Sequence, residues 1–287
     1  MEGPFAVPSP KTGPHPLTND ILPVTLGHEF SGRVLHVPES LSKPSSANGE
    51  TLRKGQAVVI DPRYYCATCT PCTQSATNSC STLGFMGFSG GGGGCSEAVA
   101  VAPDHVYILS ERLPDGELVD LATAALIEPL AVAWHALRLY LNILPCQSRN
   151  AKKEDLRDVP FLVVGAGPVG IAMIYVLRAH GAQTIFVSET SKARREMVLD
   201  ANIATEAFDP LTDDIVKKCQ EATGEGVAAV FDCAGAQAGF TAGCESLRFR
   251  GVYVNLALPK TPVCLYLSMI DADCRSRCRL GRICSRR

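Results

Sequence analysis

The sequence predicts an α/β protein in which a doubly wound parallel sheet fills the second half and a small β-rich, barrel-like domain precedes it. Three observations carry this. Between residues 161 and 189 an uninterrupted apolar run, a glycine turn, an apolar helical stretch and a second short strand follow one another, the pattern of parallel strands covered on both faces and joined by a helix. From residue 191 onward helical and strand patterns of ordinary length keep alternating, which calls for further parallel strands. Before about residue 110 the pattern changes to short strands punctuated by Gly, Pro, Ser and Asn, as in a barrel.

Length and composition set the frame for these elements. At 287 residues the chain has room for two cores, and 46% apolar with 20% charged residues is ordinary for a globular protein. A net charge of −2 gives no general attraction to nucleic acid or to an anionic membrane, so neither is expected as a partner. The first 16 residues carry neither a basic n-region nor an apolar h-region, which argues against a secretory signal and points to the cytoplasm. The most apolar windows, 118–141 and 161–177, are interrupted by Asp120, Glu128 and His135 or by the glycine turn. They read as buried helix and strand instead of membrane spans.

Taken in order, residues 1–20 are rich in Pro and polar residues and are expected to be extended or poorly ordered. Alternation after Gly32 predicts a first strand, residues 40–50 a Ser/Pro/Asn/Gly loop, and 56–62 a strand ending at Pro62. In the glycine-rich stretch 84–94 the five consecutive glycines at 90–94 are expected as a flexible surface loop, and 97–102 are expected as a strand. Apolar spacing over 118–141 suits a helix with Pro129 near its start or at a kink. A charged connector, 148–158, leads into the strand at 161–164 and the helix after the glycine turn. Beyond it, helices are expected at 191–201, 213–223 and 238–248, and strands at 184–188, 227–232 and 251–256. The ending, 274–287, has six arginines and three cysteines without apolar periodicity, and is read as a tail of unknown role, a short basic run being more often a solvated terminus than a nucleic-acid site.

Two motifs carry chemistry in their own right. In Gly165-Ala166-Gly167-Pro168-Val169-Gly170, Gly165 permits the tight turn, Gly167 lets backbone approach a pyrophosphate, and Gly170 allows close helix–strand packing, with phosphates on the helix N-terminus. A bare glycine turn between a buried strand and helix would give the same six residues. The cofactor reading is strengthened by Glu189, an acid about 20 residues beyond the glycines and placed to accept hydrogen bonds from an adenosine ribose. Its charge favours NAD over NADP, whereas Arg194 and Arg195 just beyond could pair with a 2′-phosphate or simply face solvent.

The second motif is Cys66-Ala67-Thr68-Cys69-Thr70-Pro71-Cys72, followed by Cys80. In a chain of 13 cysteines without a secretory signal, four thiols this close are a metal site rather than a disulfide framework. They can surround one tetrahedral Zn²⁺; an iron–sulfur cluster uses similar spacings, and unrelated buried thiols are the plain alternative.

With these in place, GHEFSGRV at 27–34, the four-cysteine loop, LGFMGFSG at 83–90, EPLAVA from Glu128, VVGAGPVG at 163–170 and VFDCAG at 230–235 occur in an order that resembles the zinc-containing medium-chain alcohol dehydrogenases, and among them the butanediol and sorbitol (polyol) dehydrogenase branch. The resemblance covers roughly residues 15–268 and implies a GroES-like zinc-binding catalytic domain (1–145) joined to a Rossmann-like dinucleotide-binding domain (146–268), with an atypical tail (269–287). It implies a structural zinc on Cys66, Cys69, Cys72 and Cys80. It also implies a catalytic zinc on His28, Glu29 and, directly or through water, Glu128. Read alone, His28 would more often be a hydrogen-bonded structural histidine and Glu128 a carboxylate at a helix start. The implied cofactor is NAD at Gly165, Gly167, Pro168, Val169, Gly170, Glu189 and Arg194, the implied substrate a secondary alcohol or polyol, and the implied assembly a homo-oligomer.

The chain also departs from the family pattern. The cysteine that precedes GHE in the family has no counterpart, residues 2–8 resembling the segment after it, and the match fades after about Met269. Gln56 stands where the family usually has Asp, and Cys95 and Ala98 where it usually has aromatics. Without the thiolate the remaining donors are expected to hold zinc more weakly, which leaves a non-catalytic relative with the structural zinc and the dinucleotide site as the rival reading.

Overall fold

The computed structural model describes residues 25–39, 45–88, 92–143, 156–258 and 279–282. The expectations for residues 1–20, for the first part of the charged connector and for most of the Cys/Arg-rich ending lie outside them. The chain divides into two compact units between Glu128 and Pro129.

In the first unit β1 (Ser31–Arg33) pairs antiparallel with β2 (Ala57–Ile60), whose four residues are all buried. β3 (Arg63–Tyr64) leads through α1 (Thr70–Thr73) and back to β4 (Gly84–Phe85), its antiparallel partner. β5 (Val106–Ile108) closes a three-stranded sheet of order β1-β2-β5. Its small core gathers Leu52, Val58, Ile60, Met86 and Val106, with Phe30, Val99 and Val101 packed around them. The strand expected at 97–102 is not one: Val99 and Val101 do alternate inward, but the backbone there has no ladder among the described residues, and the strand that pairs is β5. Apolar alternation reports packing, and pairing needs a partner edge as well.

Asp120 starts the helical segment by capping α2 (Leu121–Ala124), accepting from the backbone N–H groups of Ala122 and Thr123 at 3.2 and 2.9 Å. The Ser31 hydroxyl donates to the Leu121 carbonyl and ties α2 to β1. α3 (Ile127–Ile143) follows, with Pro129 in its first turn, where a missing N–H costs nothing. By length and composition 121–143 would suffice to cross a membrane. In the structure it is two helices, and Ala133, Ala136, Leu137 and Tyr140, one face at helical spacing, are buried in the core of the second unit, with Tyr140 edge-on to Phe161 at 5.6 Å. That packing is why the division falls at Glu128 and not near residue 145.

The second unit runs through β6 (Phe161–Val164), α4 (Pro168–Ala179), β7 (Ile185–Ser188), α5 (Lys192–Asp200), β8 (Glu206–Phe208), α6 (Ile215–Thr223), β9 (Val227–Asp232), α7 (Gln237–Ser246), β10 (Leu247–Asn255) and β11 (Arg279–Arg282). All five ladders are parallel, in the order β11-β10-β9-β6-β7-β8. Successive side chains of β6 go to opposite faces: Phe161 and Val163 pack with α3 and α4, while Leu162 and Val164 pack with Cys219 of α6 and with Phe240 and Cys244 of α7. Each such fully buried apolar side chain contributes about 1.5–3 kcal/mol, and this double coverage is the doubly wound architecture the β–α alternation predicts. Two strands were not legible: β8, three residues long with an exposed Glu206, and β11, which lies within the Cys/Arg-rich ending.

Because β6 is followed by β7 on one side and lies against β9 on the other, whose successor β10 lies farther out, the winding reverses between β6 and β9. The carboxyl ends of these two strands therefore border the crevice in which open α/β sheets bind ligands.

Candidate functional site

The four-cysteine lobe is built locally. Ala67 takes a left-handed conformation, φ 57°, between Cys66 and Cys69, and the turn aims the Cys69 N–H at the Cys66 sulfur, 3.3 Å away. The N–H groups of Cys66 and Thr82 likewise donate to the Cys80 sulfur at 3.3 and 3.4 Å. All four sulfurs lie within 4.8 Å of one another, with Cys80 3.6 Å from Cys66 and 3.9 Å from Cys69. A tetrahedron with bonds of about 2.3 Å has edges near 3.8 Å, so one zinc ion fits the donor set. The thiols divide accordingly. Hydrogen bonds from Thr68 pull Cys66 down to about 5, while burial, then the neighbouring thiols of Cys69 and Cys80, push Cys72 up to about 12. Four adjacent thiols do not all ionise without a cation among them.

His28, Glu29 and Glu128 form the second group, also in the first unit, with one donor atom from each lying within 4.8 Å of the others. The backbone around His28 is held on two sides. Gly94 and Cys95 donate N–H groups to the carbonyls of Gly27 and Leu26, each at 2.8 Å, and Gly87, φ 83°, lies so close that a Cβ on it would overlap the Gly27 carbonyl. The imidazole packs on Phe88 at 4.3 Å and edge-on to Phe85 at 6.5 Å. Burial lowers its pKa, opposed only in part by Glu29, whose carboxylate is 3.8 Å from Nε2. His28 is thus neutral and offers a lone pair, the form a metal takes.

Glu128, on the first turn of α3, is pushed up to about 7, first by burial, then by the charges of Glu29 and Asp61, with Arg63 acting against them. A neutral imidazole beside two crowded carboxylates is a site that gains from a cation, and these nitrogen and oxygen donors fit zinc. Asp61 and Arg63 were not picked out from sequence. They make a two-bond pair at 2.9 and 2.6 Å, and Arg63 also donates to Thr77 in the cysteine lobe at 3.4 Å. The one available signal was a pair of opposite charges flanking Pro62 at the end of a buried strand.

In the second unit the glycine turn adopts the form its residues allow. Gly165 has φ 93°, and a Cβ on Gly170 would overlap the Gly165 carbonyl. α4 starts at Gly167 without any side-chain cap, so its first N–H groups are open to an anion. Glu189 is buried and holds the turn: Oε2 accepts from the Ala166 N–H at 2.7 Å and Oε1 from the Ser191 N–H at 2.8 Å. Burial would raise its pKa, but those two N–H groups and Arg194 hold it below the ordinary carboxylate range. Its oxygens keep acceptor capacity beyond these bonds. The two arginines differ. Arg195 donates to the Glu189 and Thr190 carbonyls and pairs with Asp209 at 2.8 Å. Arg194 is half-exposed, 3.8 Å from Glu189 Oε2, with its guanidinium over Gly167.

Residues 11–111 match the family described as "Alcohol dehydrogenase GroES-like domain", and residues 168–283 the one described as "Zinc-binding dehydrogenase". The crystal structure of 2R,3R-butanediol dehydrogenase from Bacillus subtilis superposes with a TM-score of 0.74 at 30% identity, covering 99% of this chain and 71% of that one. The chain belongs to the zinc-dependent medium-chain alcohol dehydrogenase family. Among curated relatives, the (R,R)-butanediol dehydrogenase of Neisseria gonorrhoeae is 37% identical over 234 residues, 81% of this chain and 58% of that protein. The D-xylulose reductase A of Aspergillus oryzae is 29% identical over 238 residues, 81% of this chain and 59% of that protein. The chain thus spans less than two thirds of the length of these two relatives.

Proposed function

We propose that this chain is an oxidoreductase that transfers a hydride between a secondary alcohol or polyol and NAD, with zinc at both donor groups. The observation that carries the reading is the convergence of His28, Glu29 and Glu128, with donor atoms within 4.8 Å of one another. His28, Glu29 and Glu128 would hold the catalytic ion, and Cys66, Cys69, Cys72 and Cys80 the structural one. A zinc ion at the first group would supply Lewis acidity toward an alcohol oxygen, and a bound dinucleotide the hydride acceptor.

The chain's own residues do the rest of the work. The uncapped start of α4, with Gly165, Gly167, Pro168, Val169 and Gly170, would receive the pyrophosphate and Glu189 the adenosine ribose, with Arg194 close to Glu189 and Gly167. A buried carboxylate at position 189 disfavours a 2′-phosphate, which supports NAD over NADP. Burial keeps His28 unprotonated, and the crowding that raises Glu128 makes this corner selective for a cation. The butanediol and xylulose activities named for the relatives are the substrate classes to try first. The same reading assigns a small-molecule substrate, no nucleic-acid or membrane partner, a homo-oligomer and a cytoplasmic location.

Elemental analysis together with NADH formation from (R,R)-butanediol and from xylitol tests this. Two zinc ions per chain and turnover on either alcohol are expected; one zinc ion and no turnover would leave a non-catalytic relative.

A further inference from the structure

Asp232 is a carboxylate buried to 2% exposure, and no cation pairs with it among the described residues. Burying such a group is costly unless hydrogen bonds replace its water. Here three do. Oδ1 accepts from the N–H groups of Ala234 and Gly235 at 2.9 and 3.0 Å, and Oδ2 accepts from the Tyr253 hydroxyl at 2.6 Å. Tyr253 lies on the neighbouring strand β10, is 1% exposed, and is packed edge-on against Phe240 at 5.0 Å. The Asp232 carbonyl, in turn, receives the N–H groups of Leu256 and Ala257 at 2.8 and 3.1 Å. A single residue thus joins the ends of β9 and β10 and shapes the turn that leaves β9.

That turn borders the crevice. Ala234 reaches the glycine turn from the β9 side, its Cβ 3.2 Å from where a side chain on Gly165 would begin, and the Cys233 Cβ is 3.7 Å from the corresponding point on Gly170. The Gly165–Gly170 loop and the 233–235 turn are therefore the two lips of the crevice at the reversal between β6 and β9, where dinucleotides lie in this architecture. One lip is held by Glu189 through Ala166. The other is held by Asp232.

We propose that Asp232, oriented by Tyr253, is a positioning residue for the dinucleotide: its carboxylate sets the 233–235 turn so that both lips of the crevice meet the cofactor in one geometry. The inference rests on the dinucleotide reading above. Tyr253 is the useful handle, because its hydroxyl donates into Asp232.

The test is NADH binding by fluorescence titration, alongside thermal unfolding, for the full chain and for Tyr253→Phe, Asp232→Asn, Asp232→Ala and the double variant Asp232→Ala/Tyr253→Phe. Tyr140→Phe, a buried tyrosine in the other core layer, is the control for stability alone. Asn keeps one acceptor for the turn, so the expected order of lost affinity is Tyr253→Phe, then Asp232→Asn, then Asp232→Ala, the last by about tenfold or more. The double variant should bind no worse than Asp232→Ala, since the tyrosine acts through the aspartate. Tyr140→Phe should lower the unfolding temperature without moving the Kd. If the wild-type chain binds NADH and the Asp232 and Tyr253 variants lose stability yet bind equally well, the positioning role is overturned while the dinucleotide reading stands. If the wild-type chain binds no NADH, the dinucleotide reading fails and this inference with it.

Discussion

The two donor groups of the first unit are built in opposite ways. Cys66, Cys69, Cys72 and Cys80 fall within 15 consecutive residues and are brought together by a left-handed turn, one short helix and N–H groups aimed at sulfur. His28, Glu29 and Glu128 come from a loop and from a helix start about a hundred residues later, and depend on Gly87, Gly94, Cys95, Phe88 and the Asp120 cap to arrive. A local site is specified by spacing and chain entropy. An assembled site inherits every imprecision of the packing around it.

This difference can be broken or sharpened experimentally. The largest effect is expected from His28→Ala, which removes the one nitrogen donor of the assembled group: kcat/KM for the alcohol should fall by more than about 100-fold while elemental analysis still finds the thiolate-bound zinc. Loss of both ions would mean that the two groups are not independent, with the Arg63–Thr77 contact as the connection to examine. Next is Cys69→Ser, which opens a closed four-thiolate site; calorimetry should show the unfolding midpoint lowered by roughly 10 °C, a change that His28→Ala does not produce.

Glu128 yields a prediction with a definite sign. Its folded-state pKa of about 7 lies above the ordinary 4.5, so the metal-free folded protein keeps a proton that the unfolded chain releases. Stability contributed by this group is therefore present below about pH 4.5, lost between 4.5 and 7, and level above that. In chelator, Glu128→Gln should unfold at higher denaturant than wild type at pH 8, by up to about 3 kcal/mol, and the advantage should vanish near pH 4.5. Zinc should reverse the order, because the carboxylate then has a cation. An equal gain at both pH values would remove the proton from the explanation. The smallest effect is expected from Asp120→Ala: losing the α2 cap should lower the midpoint by a few degrees and weaken zinc at the Glu128 group only, as metal titration of the two sites would show.

Much of this was legible because it is encoded at short range. The apolar run at 161–164, the glycine turn and the alternation beyond it specify parallel strands and helices through period and length alone, and the cysteine spacing specifies a lobe in which four thiols meet. Where reading failed, information was non-local. The alternation of Val99 and Val101 looks like a strand, yet β5 is the segment that finds a partner. β8 is too short and polar to stand out, and β11 adds to an edge from a stretch without apolar period. The division near residue 145 implied by the resemblance does not register that Ala133, Ala136, Leu137 and Tyr140 bury α3 in the core of the second unit.

By itself, the sequence determined the fold class, the four-thiolate lobe and the glycine cradle, since each rests on residue types at fixed short spacing, where sterics and chain geometry leave few alternatives. Only the tertiary structure decided that the corner shared by His28, Glu29 and Glu128, which the family resemblance implies, also feels Asp61 and Arg63. The same holds for Arg195, which binds backbone while Arg194 stays open, and for Asp232, which holds the far lip of the crevice. Those outcomes depend on which distant segments pack together, and burial and neighbouring charge, absent from any local pattern, set what each side chain can do there.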